Sequence, residues 1–399
     1  MKIALIGNMN NISFTIMRYL RDLNLNVHLF MYQNEYQHFL PENDTDNIEN
    51  YREFIHILSV SNSAKGLIFS NKNKIKKELD EYDFFIGCGI APALFYKLGY
   101  LLDIFIPYGD VIELTVQEKF KLKNISKYLF RRYTVIQQIK GIKNNTTKII
   151  ASAIQDITKD TISRLDLSDK HIKKYLLMVY NKEEEKKTAY LREIVGNRDL
   201  ILFSNTRHHW TKENLTEAHQ IKDGGKGQDK LINGYSLFVK KNPEINSVLV
   251  FFEYGQDVEA SKKLIKELKI EDKVIWLDVM PRKKLLQLMK EADLVVNSLS
   301  SSMWGGVGWE AFSSGKILIQ NIVQTDEEYF NEMRHPLPFI MRANKAEDLA
   351  KHLNNFIINR DFYFEKSKDN EVWFNQYAGI GLAKEYKNII EELNSKKNQ

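Results

Sequence analysis

The chain of 399 residues is long enough for two domains of ordinary size, and its 43% hydrophobic and 27% charged residues are typical of a globular protein. Its net charge of +5 is too small to indicate a nucleic-acid-binding protein, and the single cysteine, Cys88, excludes a disulfide framework and a thiolate metal site. No signal-peptide segment opens the sequence, and no window reaches the roughly 20 uncharged apolar residues that span a membrane. We therefore expect a cytoplasmic protein that binds no nucleic acid.

Apolar runs and helical patterns alternate along the first half of the chain. The run 2–7 predicts a central parallel strand, and apolar residues at helical spacing follow it to Asp22. The loop between them, GNMNNIS, lacks the G-x-G-x-x-G spacing, so the dinucleotide-binding fingerprint is absent. The alternation predicts a parallel sheet with helices on both faces. Further strands are predicted at 26–31, 54–58, 83–89, 102–107 and 148–152.

A strongly basic segment, residues 118–148, interrupts this series. It holds nine Lys and Arg residues against the single acid Glu118, and aromatic side chains lie among them. Two interpretations are open. Either the segment is a helix that lies on an anionic membrane, where each cation near the surface contributes about 1 kcal/mol, or it is the solvated face of a helix that covers the sheet.

A second alternating series begins at Asp199, after the charge-dense segment 166–197. Because charge runs with few large apolar clusters rarely form a core, we place the connection between two domains in that segment. The predicted parts are an N-terminal domain of residues 1–175 completed by 375–399, a linker of 176–198 and a C-terminal domain of 199–374. The second series has predicted strands at 200–203, 247–252, 274–277, 293–297 and 316–319, and a terminal helix at 373–393.

The stretch 297–319 combines a strand end, a glycine-rich loop and a helix start. Gly305, Gly306 and Gly308 let the backbone come close to a ligand, and the free N–H groups at a helix N-terminus attract phosphate. Glu310, just inside the helix, is placed to accept hydrogen bonds from sugar hydroxyls. On these residues alone, a tight turn followed by a helix-capping glutamate is an equally good interpretation.

The second half of the chain resembles the C-terminal domain of glycosyltransferase family 4. Residues 310–319, EAFSSGKILI, match the second half of that family's Glu-x7-Glu signature. Lys226 and the glycine after it resemble the family's Lys-Gly element, and Arg207 stands where the family has its paired arginine. The resemblance implies the GT-B fold, which has two facing Rossmann-like domains with parallel sheets and a C-terminal helix that packs back on the N-terminal domain.

The resemblance further implies a retaining transfer of a sugar from a UDP- or GDP-type donor to a saccharide or lipid-linked acceptor. The setting it implies is the assembly of surface polysaccharides or glycans, at the inner face of the cell membrane. Arg207 and Lys226 would bind the diphosphate together with the glycine N–H groups, so we expect neither a metal nor another cofactor. Glu310 would accept hydrogen bonds from the ribose hydroxyls.

Other matches to the family pattern are shorter. Gly255 and the loop that contains Val279 fit two more positions of the donor site, and the Gly7 loop together with residues 108–110, Tyr-Gly-Asp, resembles an element of one subgroup. Asp110 would orient or deprotonate the acceptor hydroxyl, or simply cap a helix, and both interpretations are open. The donor-site positions implied beside Glu310 and the glycines are Ser302, Gly255, Val279 and Gly7.

Two departures from the family pattern bear on function. Ser302 replaces the first glutamate of the signature, a residue that contacts the donor hexose in the family. Arg207 and Lys226 are separated by 18 residues, where the family has only a few. This insertion either reaches a sugar or acceptor or forms an ordered surface loop, and it contains His208, His209, Trp210 and His219. Two alternatives remain open: a non-catalytic nucleotide-sugar-binding partner of another transferase, and a nucleotide-sugar 2-epimerase.

Overall fold

The computed structural model describes residues 1–107, 125–152, 156–182, 190–215, 225–302, 304–397 and 399. These residues form two compact units, one built from Met1–Tyr180 with Ala378–Gln399 and the other from Asn181–Tyr377. Each unit contains a parallel sheet flanked by helices, so the predicted α/β class is confirmed.

The sheet of the first unit is formed by strands β1 (Lys2–Ile6), β2 (Asn26–Gln33), β3 (Ile55–Ser61), β4 (Phe84–Gly87), β5 (Leu102–Phe105), β6 (Thr146–Ala151) and β7 (His171–Lys173). Their order is β3-β2-β1-β4-β5-β6-β7, and all paired strands are parallel. Strands β1 and β4 are continuous apolar runs because both of their faces are buried under helices. The helices before the linker are α1 (Ile12–Asp22), α2 (Ala64–Phe69), α3 (Lys72–Leu79), α4 (Ala91–Leu98), α5 (Ile125–Asn145) and α6 (Asp156–Leu165).

The sheet of the second unit is formed by β8 (Leu200–Ser204), β9 (Ser247–Phe252), β10 (Val274–Leu277), β11 (Leu294–Val296), β12 (Ile317–Gln320) and β13 (Ile340–Arg342). Their order is β10-β9-β8-β11-β12-β13, again with parallel pairing. The helices of this unit are α7 (Tyr190–Val195), α8 (Gln228–Lys241), α9 (Val258–Glu267), α10 (Arg282–Glu291), α11 (Gly305–Ser313), α12 (Asp326–Met333), α13 (Ala346–Ile358) and α14 (Arg360–Tyr377).

The C-terminal helix α15 (Ile380–Lys397) belongs to the first unit. Tyr386 donates a hydrogen bond from Oη to the Tyr175 carbonyl at 2.8 Å, and Lys397 Nζ lies 3.1 Å from Asp103 Oδ1. The sequence predicts one terminal helix over 373–393, but the chain forms α14 and α15 with a break between them. Gly379 lies in that break, as its low helix propensity favours.

Much of the predicted linker 176–198 is packed. Leu177 and Val179 are buried in the first unit, and Leu191 and Val195 of α7 are buried in the second. These apolar side chains are few and lie among charged residues, so the charge density of the segment did not predict that it packs. Residues 183–189 lie outside the described residues.

In both sheets the strand order reverses beside the first strand. β1 lies between β2 and β4, and β8 lies between β9 and β11. The register pairs Ile6 with Gly87 in the first sheet and Phe203 with Val295 in the second. Open α/β sheets bind ligands outside the carboxyl ends of the strands at such switch points. The segments that follow β8 and β11 are therefore the candidate site of the second unit.

Candidate functional site

Asn297 joins the two segments of the switch point in the second unit. It directly follows β11 and is buried. Its Oδ1 accepts a hydrogen bond from Thr206 Oγ1 at 2.8 Å, just after β8, and its Nδ2 donates to the Trp304 carbonyl at 2.7 Å. The Asn297 side chain thus fixes the end of one strand against the residue that precedes α11.

The serine loop, residues 298–302, is held by its neighbours. Ser298 Oγ accepts a hydrogen bond from Ser301 N at 2.8 Å, and Asn321, after β12, donates to the Ser300 carbonyl at 2.7 Å. Gln320 Nε2 donates to the Ser301 carbonyl at 3.1 Å. Ser302 is partly exposed at the end of this fixed loop, where the family pattern has its first glutamate.

The three predicted glycines of α11 have different roles. Gly305 has a left-handed φ of +53°, and a Cβ at Gly305 or Gly306 would meet no atom of the described residues within 4 Å. A Cβ at Gly308 would instead lie 2.3 Å from Trp304 Cβ, so Gly308 is needed for packing. The first N–H groups of a helix have no partner within the helix, so the open space in front of Gly305 and Gly306 suits an anion.

Glu310 is oriented by an asparagine from the neighbouring strand. Asn205 follows β8 directly, and its Nδ2 donates to Glu310 Oε2 at 2.9 Å. Glu310 is half-buried in the second turn of α11, close to the open helix start. A carboxylate held in this way presents its acceptor lone pairs in a fixed direction, as recognition of a pair of hydroxyls requires.

The backbone of Lys226 lies beside the segment that follows Arg207, despite the insertion between the two residues. Lys226 N donates to the His209 carbonyl at 2.7 Å, and Leu299 N, within the serine loop, donates to the Lys226 carbonyl at 3.2 Å. Gln228, at the start of α8, donates from Nε2 to the Arg207 carbonyl at 2.9 Å. The Arg207 side chain is exposed and that of Lys226 is half-buried. Two cationic residues and the serine loop are thus brought to one edge of the sheet.

Gly227 is the glycine of the predicted Lys-Gly element, and its position allows no other residue. It precedes α8 with a left-handed φ of +73°, and a Cβ there would lie 2.7 Å from Ser300 Oγ. Both the backbone conformation and the close approach of the serine loop require glycine at this position.

Asp257 and His208 hold the strap, residues 208–214, that follows Arg207. Asp257 accepts hydrogen bonds from Thr211 N at 2.9 Å, from Thr211 Oγ1 at 2.8 Å, and also from Trp210 N and Asn214 Nδ2. Burial of Asp257 opposes its ionisation, but these hydrogen bonds prevail and hold its pKa below the usual value. The strap is therefore ordered by an ionised carboxylate.

His208 is fully buried, with Nδ1 2.8 Å from Ser261 Oγ, and Trp210 Nε1 donates to the same oxygen at 2.9 Å. Burial lowers the pKa of His208 to about 4, so the ring is neutral at pH 7. Of the two interpretations of the insertion, His208 supports an ordered loop, since its ring is in the interior. His219 lies outside the described residues.

The remaining predicted site residues are outside the serine loop and α11. Gly255 has a φ of +122°, and a Cβ there would lie 2.2 Å from the His208 carbonyl, so this glycine packs against the strap. Val279 is 63% exposed in the loop after β10. Gly7 follows β1 in the first unit, where a Cβ would lie 2.7 Å from the Tyr32 ring. Asp110 lies outside the described residues.

Several residues of this edge carry no prediction from the sequence. Asn205, Gln228, Asn297 and Asp257 form the hydrogen bonds described above. The available signal was position, because Asn205 and Asn297 are polar residues at or near the ends of predicted buried strands. Across the described ranges, no three His, Cys, Asp or Glu side chains are grouped closely enough to hold a metal ion.

Residues 218–372 match the family model described as glycosyl transferases group 1. No curated protein matches the chain. Among solved structures, Anabaena Alr3699/HepE in complex with UDP and glucose is similar with a TM-score of 0.63 and 14% identity, covering 99% of this chain and 100% of that one. WaaG, a glycosyltransferase involved in lipopolysaccharide biosynthesis, has a TM-score of 0.56 and 12% identity, covering 97% and 99%.

A putative UDP-N-acetylglucosamine 2-epimerase from Listeria monocytogenes is also similar, with a TM-score of 0.51, 13% identity and coverage of 96% of this chain and 93% of that one. At such identities the similarity shows the fold alone. The predicted GT-B fold is confirmed, and the matched part of the chain, which contains Lys226, the serine loop and Glu310, is similar to group 1 glycosyl transferases.

Proposed function

We propose that the chain is a retaining glycosyltransferase that moves a sugar from a UDP-type donor to a saccharide or lipid-linked acceptor. The observation that carries the proposal is the edge of the second sheet, which brings together Arg207, Lys226, an open helix start and a carboxylate held by Asn205. The match of residues 218–372 to group 1 glycosyl transferases supports it. The retaining outcome and membership of family 4 rest on the resemblance of residues 310–319.

The chemistry of transfer explains the positive charge at this edge. The bond between the anomeric carbon and the diphosphate breaks while the acceptor oxygen bonds to the same carbon, so negative charge develops on the leaving phosphate. Arg207 binds two phosphate oxygens at once, Lys226 adds a compact charge, and the start of α11 offers N–H groups. These groups supply the required charge, so the proposal includes no metal or other cofactor.

UDP is the preferred donor nucleotide because the similar Anabaena protein binds UDP and glucose. In the proposal, Glu310 accepts hydrogen bonds from the ribose hydroxyls, and Ser302 and Val279 contribute to the donor site. Asp110 is proposed to orient or deprotonate the acceptor hydroxyl.

Helix α5 supports a contact with an anionic membrane surface. Its exposed apolar side chains Leu129, Tyr133 and Ile136 follow one another at spacings of four and three, which places them on one face. Arg132 and Lys140 are exposed beside that face. The other face is occupied, since Gln138 is buried and bonds the backbone of Ala93 and Gly89, at the start of α4. A cationic helix with an exposed apolar stripe binds at the level of lipid headgroups.

This contact would place the enzyme at the inner face of the cell membrane, where lipid-linked acceptors are found. The described residues include no helix with the length and apolarity needed to cross a bilayer. Similarity to WaaG, a glycosyltransferase involved in lipopolysaccharide biosynthesis, supports a role in surface glycan assembly. Sedimentation with vesicles of anionic and of neutral lipids tests the contact: Leu129→Ser with Ile136→Ser should abolish binding to anionic vesicles, while Ile358→Ser, an exposed position of α13, should not.

Ser302 motivates a second candidate, a nucleotide-sugar-binding partner without activity. The two are separated by incubating the protein with a UDP-sugar panel, with and without a lipid or glycan acceptor, and measuring UDP release. Transfer predicts release that depends on the acceptor and is lost in Arg207→Ala. If the protein binds UDP but releases none from any UDP-sugar, the inactive partner is favoured. If it forms an isomerised sugar nucleotide in the absence of acceptor, an epimerase is favoured.

A further inference from the structure

A pocket of about 490 Å³ in the second unit lies apart from the segments after β8 and β11. It is formed between α14 and the segment that leads into the edge strand β13. The lining side chains that decide its chemistry are Phe339, Arg342, Lys366, Asp369, Gln376 and Tyr377. Its size is within the range of small-molecule sites, about 300–1,000 Å³.

The wall of the pocket is formed by fixed groups. The side chain of Asn370, on α14, accepts a hydrogen bond from Phe339 N at 2.8 Å and donates one to the Phe339 carbonyl at 2.9 Å. Both backbone hydrogen-bonding groups of Phe339, the residue before β13, thus have a partner. Trp373 Nε1 donates to the Pro336 carbonyl at 2.7 Å. A ligand that enters this pocket meets a wall that is already in place, which lowers the entropic cost of binding.

The charged side chains in the lining form two ion pairs, so their charges sum to zero. Lys366 Nζ lies 2.8 Å from Asp369 Oδ2, and Arg342 forms an ion pair with Asp326. The lining therefore has no net charge that would favour an anion such as phosphate over a cation. The paired groups still offer hydrogen bonds, because a lysine has three donors, an arginine five, and each carboxylate about four lone pairs.

Apolar surface lies next to these polar groups. The rings of Phe339 and Tyr377 are partly exposed, and Val372 is 65% exposed at the pocket. A ligand that fits both parts has apolar C–H surface to lay on a ring and many neutral hydroxyls to pair with planar side chains. Neutral saccharides have both properties, whereas nucleotides and anionic lipid headgroups carry charge that this lining does not match.

We propose that this pocket binds a neutral oligosaccharide, as a saccharide site separate from the proposed donor site. The pocket also adjoins the helix that carries Glu310, because the Trp373 ring lies 6.2 Å from that of Trp309 and 5.5 Å from that of Phe312, both on α11. The inference goes beyond the proposed transfer reaction, since it requires only that the pocket recognises sugar.

The test is saturation-transfer NMR on the full chain with neutral glucose and N-acetylglucosamine trisaccharides at millimolar concentration, and with a uronic-acid trisaccharide for comparison. The blocking variant is Val372→Trp, which places an indole at the pocket from an exposed position. The matched control is Ile358→Trp, at an exposed residue of α13 that is 77% accessible and is not in the lining. Gln376→Ala is a milder variant that removes one polar group.

We expect a neutral trisaccharide to give a signal that Val372→Trp weakens by roughly tenfold or more in affinity, that Gln376→Ala weakens less and that Ile358→Trp leaves unchanged. Glu310→Ala, which should weaken UDP binding, should leave the saccharide signal intact, so failure of the donor site is distinguishable from failure of this pocket. Absence of signal from every neutral trisaccharide, equal signal in Val372→Trp, or a stronger signal from the uronic-acid sugar would overturn the proposal.

Discussion

The two sheets share the same strand order around their first strand, but the loops at their switch points differ. In the first unit, the loop after β1 is filled by protein. The fully buried Asn8 donates from Nδ2 to the Phe39 carbonyl at 2.7 Å and accepts from Phe14 N, in the first turn of α1, at 3.0 Å. Gly7 itself packs against Tyr32. The start of α1 is therefore capped by the chain.

In the second unit, the corresponding loops leave space for a ligand. Among the described residues, nothing fills the space in front of Gly305 and Gly306 at the start of α11, and Arg207 is exposed along the same edge of the sheet. A glycine after a parallel strand is thus a weak indicator of a ligand site. What the missing Cβ faces decides between packing, as at Gly7, and binding, as proposed at Gly305 and Gly306.

The largest effect is expected when the cationic side chain of Lys226 is removed. Lys226→Ala should lower kcat/KM for the donor by about 10²–10³-fold, as is typical when one group that stabilises the developing charge is removed. Lys241→Ala, which removes an exposed cation from the far end of α8, should leave it unchanged. Steady-state kinetics of UDP release measures both, and equal kinetics in the two variants would contradict the role of Lys226.

Lowering the pH should reduce the free energy of unfolding of the second unit more than that of the first. Burial lowers the pKa of His208 from 6.5 to about 4, so the unfolded chain takes up this proton first as the pH falls. The contribution of neutral His208 is complete above pH 6.5 and is lost progressively towards pH 4, with a total of about 3 kcal/mol. In the first unit, burial and His56 lower the pKa of His28 to about 4, but His28 is more exposed and its contribution is smaller.

All five tryptophans lie between residues 181 and 377, so tryptophan fluorescence reports unfolding of the second unit. Urea titrations from about pH 7 to about pH 5 should show a falling midpoint in the wild type. The fall should be shallower in His208→Gln and unchanged in His28→Gln. A slope that is the same in all three proteins would rule out His208 as its source.

Gly308 and Gly306 provide a test within a single helix. Gly308→Ala should destabilise the second unit by about 1–3 kcal/mol, because its Cβ would collide with Trp304. Gly306→Ala should leave stability equal or up to about 1 kcal/mol higher, since alanine favours the helix, yet weaken donor binding because the methyl group enters the open space. Thermal unfolding and a UDP titration measure the two effects, and a destabilised Gly306→Ala would contradict the assignment of that space.

The smallest effect is expected from Asn205. Asn205→Ala removes the hydrogen bond that orients Glu310 and should raise the donor KM by about tenfold with little change in kcat, since a hydrogen bond to a charged group contributes roughly 1.5 kcal/mol. Asn205→Asp should be worse, because it places a second carboxylate against Glu310. If Asn205→Asp matched the wild type, Asn205 would have no part in orienting Glu310.

The sequence predicted the elements of the site better than their connections. The strand, the glycine-rich helix start and Glu310 follow from local pattern, and the strands near them form within a few residues of their predicted bounds. The hydrogen bond between Asn205 and Glu310 joins residues 105 positions apart. Such a contact arises only when the sheet is assembled, so no local pattern encodes it.

The central claim is that the switch point of the second sheet binds the nucleotide sugar. Calorimetric titration of UDP into the wild type and into Glu310→Ala tests it most directly, with thermal unfolding to confirm that both are folded. We predict measurable UDP binding by the wild type and affinity at least about tenfold weaker in Glu310→Ala, since two hydroxyl hydrogen bonds to a carboxylate are lost. Equal affinity in the two proteins, or no UDP binding by the folded wild type, would contradict it.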